Sequence, residues 1–73
     1  MIRLDLRGEV CPFTFVKTKV KLEELKPGEL LEVITDHEPA VRDVPRSVEA
    51  EGHEVIRVEK IGENEWRILI RKR

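Results

Sequence analysis

A single cysteine, Cys11, is the residue in this sequence best suited to nucleophilic chemistry. It stands in Gly8-Glu9-Val10-Cys11-Pro12, where an alternating segment gives way to one with helical spacing. Proline suits the first helical position, because its missing N–H would have had no intrahelical partner and its fixed φ is already helical. Pro12 therefore places Cys11 at the N-cap, where backbone N–H groups and the positive end of the helix dipole converge. A thiolate is favoured there, so the pKa of Cys11 is expected below the free value of about 8.5. A lone cysteine in a small domain is more often a buried small hydrophobe. The strand-to-helix setting shifts that balance, since a helix N-cap is seldom fully buried.

Further groups gather near Cys11 if the β-α-β crossovers are right-handed and keep the first three strands parallel. Loops 8–11, 36–43 and 61–64 then share one edge, where open α/β sheets place their ligands. Asp36, His37, Arg42 and Asp43 fall on that edge. His53 falls at the other end, so Cys11, His37 and His53 make a poor metal site. Neither metal nor cofactor is expected. Taken blandly, His37 is a loop histidine, Asp43 a helix cap and Arg42 its solvated neighbour.

The elements that must position these groups follow from periodicity. Residues 2–7 alternate as a strand, with Ile2, Leu4 and Leu6 on one face. Helix one is predicted from Pro12 to about Leu25 and is stopped by Pro27-Gly28. Its apolar residues form two stripes, Phe15, Leu22 and Leu25 on one side and Phe13, Val16 and Val20 roughly 150° away. The first stripe is expected to face the sheet. Val20 is expected to meet helix two, while Phe13 and Val16, with Lys17 at the rim, are expected to form a partner-binding patch beside Cys11. Leu30–Thr35 reads as a central strand. Ala40-Val41-Arg42 suggests a short helical turn, and Asp43 an N-cap for helix two over Val44–Glu51, with Pro45 in its first turn. Strand three, about Glu54–Lys60, puts Ile56 and Val58 on one face and Arg57 and Glu59 on the other. Gly62-Glu63-Asn64 turns the chain into strand four, Glu65–Lys72, with Trp66, Ile68 and Ile70 inward.

The order β-α-β-α-β-β predicts an α/β (α+β) two-layer sandwich with both helices on one face of a four-stranded mixed sheet. The opposite face carries Arg3, Asp5, Arg7, Glu32, Arg57, Glu59, Arg67 and Arg71, and reads as a solvated face tied by cross-strand pairs. The 73 residues allow one small domain, 1–73, burying about 60% of its unfolded surface. Fourteen basic and fifteen acidic residues are interspersed, which argues against a polyanion-binding tail. The charged fraction of 40% exceeds the usual value near 25%, as in a heat-adapted protein or simply a small one with much surface. No apolar run approaches the roughly 20 residues of a membrane span. With one cysteine and no leader-like N-terminus, a cytoplasmic location is expected.

The segment Leu4-Asp5-Leu6-Arg7-Gly8-Glu9-Val10-Cys11-Pro12 resembles the opening of the TusA/SirA-like sulfur carriers, whose signature is Cys-Pro-x-Pro. The resemblance continues through Lys26-Pro27-Gly28-Glu29, Asp36, Pro39, Arg42-Asp43-Val44-Pro45, Gly52-His53-Glu54 and Leu69-Ile70-Arg71-Lys72, nearly the whole chain. It implies sheet order 1-2-4-3 with strand four antiparallel to the rest. It also implies that Cys11, supported by Pro12, Asp36, Arg42 and Asp43, accepts a persulfide sulfur. The donor would be a cysteine desulfurase or related protein, and the sulfur would pass to an acceptor protein in tRNA thiolation, molybdenum-cofactor assembly or general sulfur trafficking. That is a sulfurtransferase-type relay, not a self-sufficient enzyme. Thr14 departs from the signature, standing where its second proline would be.

Two other function classes compete with the carrier. A binding or regulatory module of the same fold, recognising RNA or protein, fits poorly with the mixed charge, the absence of tyrosine and only three aromatic residues. Neither direct nucleic-acid binding nor membrane association is expected. A thiol sensor would pass through a sulfenic acid, and no resolving cysteine is present.

Overall fold

The computed structural model describes residues 2–10 and 13–73. The elements are β1 (Ile2–Asp5), α1 (Phe13–Glu24), β2 (Leu30–Thr35), α2 (Glu38–Ala50), β3 (Glu54–Gly62) and β4 (Glu65–Arg71). The sheet order is β1-β2-β4-β3, with β1 parallel to β2 and β4 antiparallel to both of its neighbours. This is the expected mixed four-stranded sheet of an α+β sandwich. Ile2 and Leu4 on β1, Leu31 and Val33 on β2 and Ile68 and Ile70 on β4 share the covered face, in the registers Ile2–Leu31–Ile70 and Leu4–Val33–Ile68. Leu6, Leu22, Leu25, Ala40, Val44 and Val48 complete the core.

Helix α1 meets the sheet through Leu22 and Leu25 of the expected stripe, with Thr14 and Thr18 in place of Phe15. Thr14, Thr18, Leu22 and Leu25 are buried, while Phe15 turns toward α2. At helical spacing Thr14 and Thr18 fall on the same face as Leu22 and Leu25, and Phe15 falls at its margin, while the Phe13, Val16 and Val20 stripe lies on the far side. Threonine is tolerated there because the Thr18 hydroxyl donates to the Thr14 carbonyl at 2.7 Å. Val20 is half exposed and lies on the flank away from α2, against expectation. Phe15, Lys19 and Leu22 instead face Val48, Glu51 and His53, and Lys19 pairs with Glu51 at 3.2 Å.

Helix α2 begins at Glu38, six residues before the expected Val44, so Asp43 lies within it and does not cap it. Pro39 occupies the first turn, where proline is preorganised, and Pro45 sits in the interior, where it removes a hydrogen bond. The complete burial of Ala40 and Val44 and the near-complete burial of Val48, at i, i+4 and i+8, outweigh that loss. Strand β3 carries register shifts between Val55 and Arg57 and between Lys60 and Gly62. Val55 and Val58 therefore pair with Ile70 and Ile68, while Ile56 is the extra residue of a bulge and does not share a strict alternation with Val58.

The open face is a chain of charges running across the sheet. Glu32, only 4% exposed, accepts from Arg3 at 2.6 Å and from Arg67 at 3.0 Å, and Arg67 also bonds Glu59. The hydrogen bond from Arg3, aided by that from Arg67, holds the Glu32 carboxyl below its ordinary range despite burial. Asp5 is drawn down to about 2, chiefly by the Arg7 side chain. Both shifts are depressions, so both contributions are complete above the unfolded carboxylate range and are lost as pH falls through the folded values. Thermal melting should be flat near neutrality and decline on acidification below the ordinary carboxylate range toward about pH 2. Glu32→Ala should lose about 2 kcal/mol at neutral pH, the scale of charge-assisted bonds to one carboxylate, and should show a shallower acid decline. Urea midpoints across pH give both quantities.

Candidate functional site

The loop leading to Cys11 is held by bonds that the sequence of β1 and its turn dictates. Leu6 is buried and donates its N–H to the Ile34 carbonyl at 2.7 Å, ending β1 against β2. Asp5 accepts the Arg7 N–H at 3.0 Å and grips the Arg7 guanidinium, folding the chain into a turn. Gly8 follows at φ 88°, a conformation that a side chain would strain. Its N–H donates to the Asp36 carboxylate at 2.9 Å, tying this loop to the one after β2. Glu9 donates its N–H to the Leu6 carbonyl at 3.1 Å and pairs through its side chain with Lys17 on α1 at 2.8 Å.

Beyond this anchor lie Cys11 and Pro12. The expected N-cap role of Cys11 and first-turn role of Pro12 lie outside the described residues. On their far side, the N–H groups of Phe13 and Thr14 both donate to the Val10 carbonyl, at 2.8 and 3.3 Å. The first turn of α1 thus closes on Val10. Thr14 uses its N–H here, a bond that proline at this position could not make. Val10 and Phe13 are 50% and 57% exposed, so apolar surface borders the loop on both sides.

Of the expected supporting residues, Asp36 is brought into contact with the loop, through Gly8. Arg42 and Asp43 lie in the first half of α2, both exposed, and line a shallow groove of about 510 Å³ with Glu38 and Pro39. Arg42 also borders a groove of about 530 Å³ with Glu38, Val41, Lys60 and Trp66. Trp66 points inward as expected yet is only half buried, with the Lys60 ammonium 5.9 Å from its ring centroid. Sequence reading missed this groove because Trp66 alternates as a core residue, and only its place at the end of β4 leaves it partly open. Lys17 pairs with Glu9, while Val16 lines a groove of about 290 Å³ with Leu4 and Val20.

His37 flanks the start of α2 and donates its backbone N–H to the Thr35 hydroxyl at 3.1 Å. His53 lies beyond the other end of that helix, where its Nδ1 accepts the Arg73 N–H at 3.2 Å. Among the described residues no group of three or more His, Cys, Asp or Glu is arranged to hold a metal ion. Among them, too, no helix is long and apolar enough to cross a membrane.

A sheet ordered 1-2-4-3 under two helices, with a glycine turn leading to a cysteine before α1, defines a recognised architecture. The crystal structure of a SirA-like protein from Desulfitobacterium hafniense shares this fold at a TM-score of 0.86, with 24% identity over 97% of this chain and 96% of that one. The chain itself belongs to the TusA family: the family model described as Sulfurtransferase TusA matches residues 2–72. It is 76% identical over 70 residues to a protein of Archaeoglobus fulgidus named "Putative sulfur carrier protein", spanning 96% of this chain and 80% of that relative. A protein of Thermotoga maritima with the same name is 47% identical over 68 residues, spanning 93% and 86%.

Proposed function

We propose that this protein is a sulfur carrier that acts as one domain and holds a transferable sulfur on Cys11. The observation that carries this reading is the anchored loop. Gly8 is fixed to Asp36 and Glu9 to Lys17, so the segment entering Cys11 is presented from the same sheet edge as the start of α2. Membership of the TusA family and the names of its relatives support it.

The Cys11 thiolate attacks the outer sulfur of a persulfide on a donor such as a cysteine desulfurase. A sulfur–sulfur bond forms to Cys11, the donor's own sulfur–sulfur bond breaks, and the donor thiolate leaves. An acceptor thiolate repeats the exchange on Cys11, and no net oxidation occurs in either step. The positive end of α1 favours both the attacking thiolate and the terminal sulfur of the loaded form. With a desulfurase and radiolabelled cysteine, label should appear on the protein and be released by a thiol reductant. Absence of label with an active desulfurase would exclude this carrier reading for that donor class.

Phe13, with Val16 and Lys17, forms the surface on which sulfur-exchange partners dock. Phe13 is the most exposed large apolar side chain among the described residues and stands two positions from Cys11. Phe13→Ser should leave the melting temperature nearly unchanged and slow loading by roughly tenfold, the effect of losing one interface anchor. A large fall in melting temperature would instead assign Phe13 to the core.

A further inference from the structure

The two edges of the sheet are built differently. Edge strand β3 carries two register shifts, a device that discourages pairing with another chain. Edge strand β1 pairs with β2 in unbroken register and contains no proline. Leu6 donates to Ile34 across this parallel ladder, so the even-numbered residues of β1 direct their N–H and C=O groups toward β2. Those of Arg3 and Asp5 point away, along the free edge. Beside that edge lies the groove of about 290 Å³ lined by Leu4, Val16, Lys17, Val20, Lys21 and Glu24.

An added antiparallel strand must pair its own outward groups with those of Arg3 and Asp5. Complementarity requires an acidic residue opposite Arg3, a basic one opposite Asp5 and an apolar one between them opposite Leu4. Read in the antiparallel direction, that sequence is base, apolar, acid. It is Arg3-Leu4-Asp5 itself. Registers centred on Arg3 or on Asp5 would set like charges against each other, which leaves the one centred on Leu4.

We infer that a second copy of this chain pairs with β1 across a two-fold axis at Leu4, joining two sheets into one of eight strands. Arg3 then faces the partner's Asp5 and Asp5 the partner's Arg3, each pair exchanging both main-chain hydrogen bonds, while the two Leu4 side chains meet on the helix face. The two α1 helices run antiparallel over the junction, bringing Lys17 and Lys21 of one toward Glu24 of the other and shielding the Val20 side of the groove. The two Cys11 segments lie at opposite ends of the joined sheet, so Phe13 and its loop stay open to partners in each copy.

Sedimentation equilibrium over a concentration series tests this. The wild type should shift toward twice the protomer mass as concentration rises. Lys21→Glu, which sets like charges against Glu24 of the other copy, and Val20→Glu, on an exposed helix position, should each remain monomeric with unchanged far-ultraviolet circular dichroism. Both should still take sulfur on Cys11, which separates this inference from the carrier reading. A wild type that stays monomeric throughout overturns the dimer. A dimer that survives both substitutions overturns this interface, including one held through the Phe13 patch.

Discussion

Cys11→Ser is expected to fold as the wild type does and to carry no sulfur at all. The chain holds one cysteine, so no second thiol can substitute for it. A serine hydroxyl is almost wholly protonated at neutral pH and cannot displace a thiolate from a persulfide. Folding should persist because the anchors on either side belong to other residues: Gly8 to Asp36, Glu9 to Lys17, and Val10 to the N–H groups of Phe13 and Thr14. Matching urea midpoints for the two proteins, with sulfur transfer only in the wild type, give the expected pattern. Residual transfer by the serine variant would contradict a carrier that works through this thiol.

The second large effect is on stability. Ile68 is fully buried in β4 between Val33 of β2 and Val58 of β3. Truncating such a side chain removes its burial and leaves a cavity, so Ile68→Ala should cost about 3 kcal/mol. At roughly 4–8 °C per kcal/mol for a domain of this size, melting should fall by about 15 °C. Val58→Ala supplies the contrast. Val58 pairs with Ile68 on the same face but lies on the edge strand at 40% exposure, so its truncation should cost under about 1 kcal/mol. Equal losses at the two positions would mean that the β3 edge is covered more deeply than the sheet order allows.

Alternation alone treats Ile68 and Val58 alike, and their difference marks what the sequence could reveal. Strand β4 was legible because Ile68 and Ile70 alternate with Arg67 and Arg71. Strand β3 was less so, because the residue skipped at Ile56 shifts the register without any glycine or proline to announce it. The start of α2 was misplaced because Pro45 carries a local penalty, whereas the burial of Ala40 that offsets it is tertiary. The sheet-facing side of α1 was obscured for a related reason. Thr14 and Thr18 look polar until Thr18 bonds the backbone one turn before it.

The candidate site divides the same way. Gly8 before Cys11 signalled a turn, and the crossover rule placed Asp36 on the same edge, where it accepts the Gly8 N–H. The clasp of Glu32 by Arg3 and Arg67 was legible as a charged face but not as a buried carboxylate, since burial there comes from the long side chains themselves. Lys60 over Trp66 depends on how the β3–β4 hairpin ends against α2, which no local pattern encodes.

The central claim, that Cys11 takes and releases sulfur, is tested most directly by mass spectrometry of the loaded protein. After incubation with cysteine and a desulfurase, the segment Gly8–Lys17, bounded by Arg7 and Lys17, should gain the mass of one sulfur atom. Dithiothreitol should remove it, and every other segment should be unchanged. Oxygen adducts in place of sulfur, or sulfur that appears without the desulfurase or outside this segment, would contradict the account.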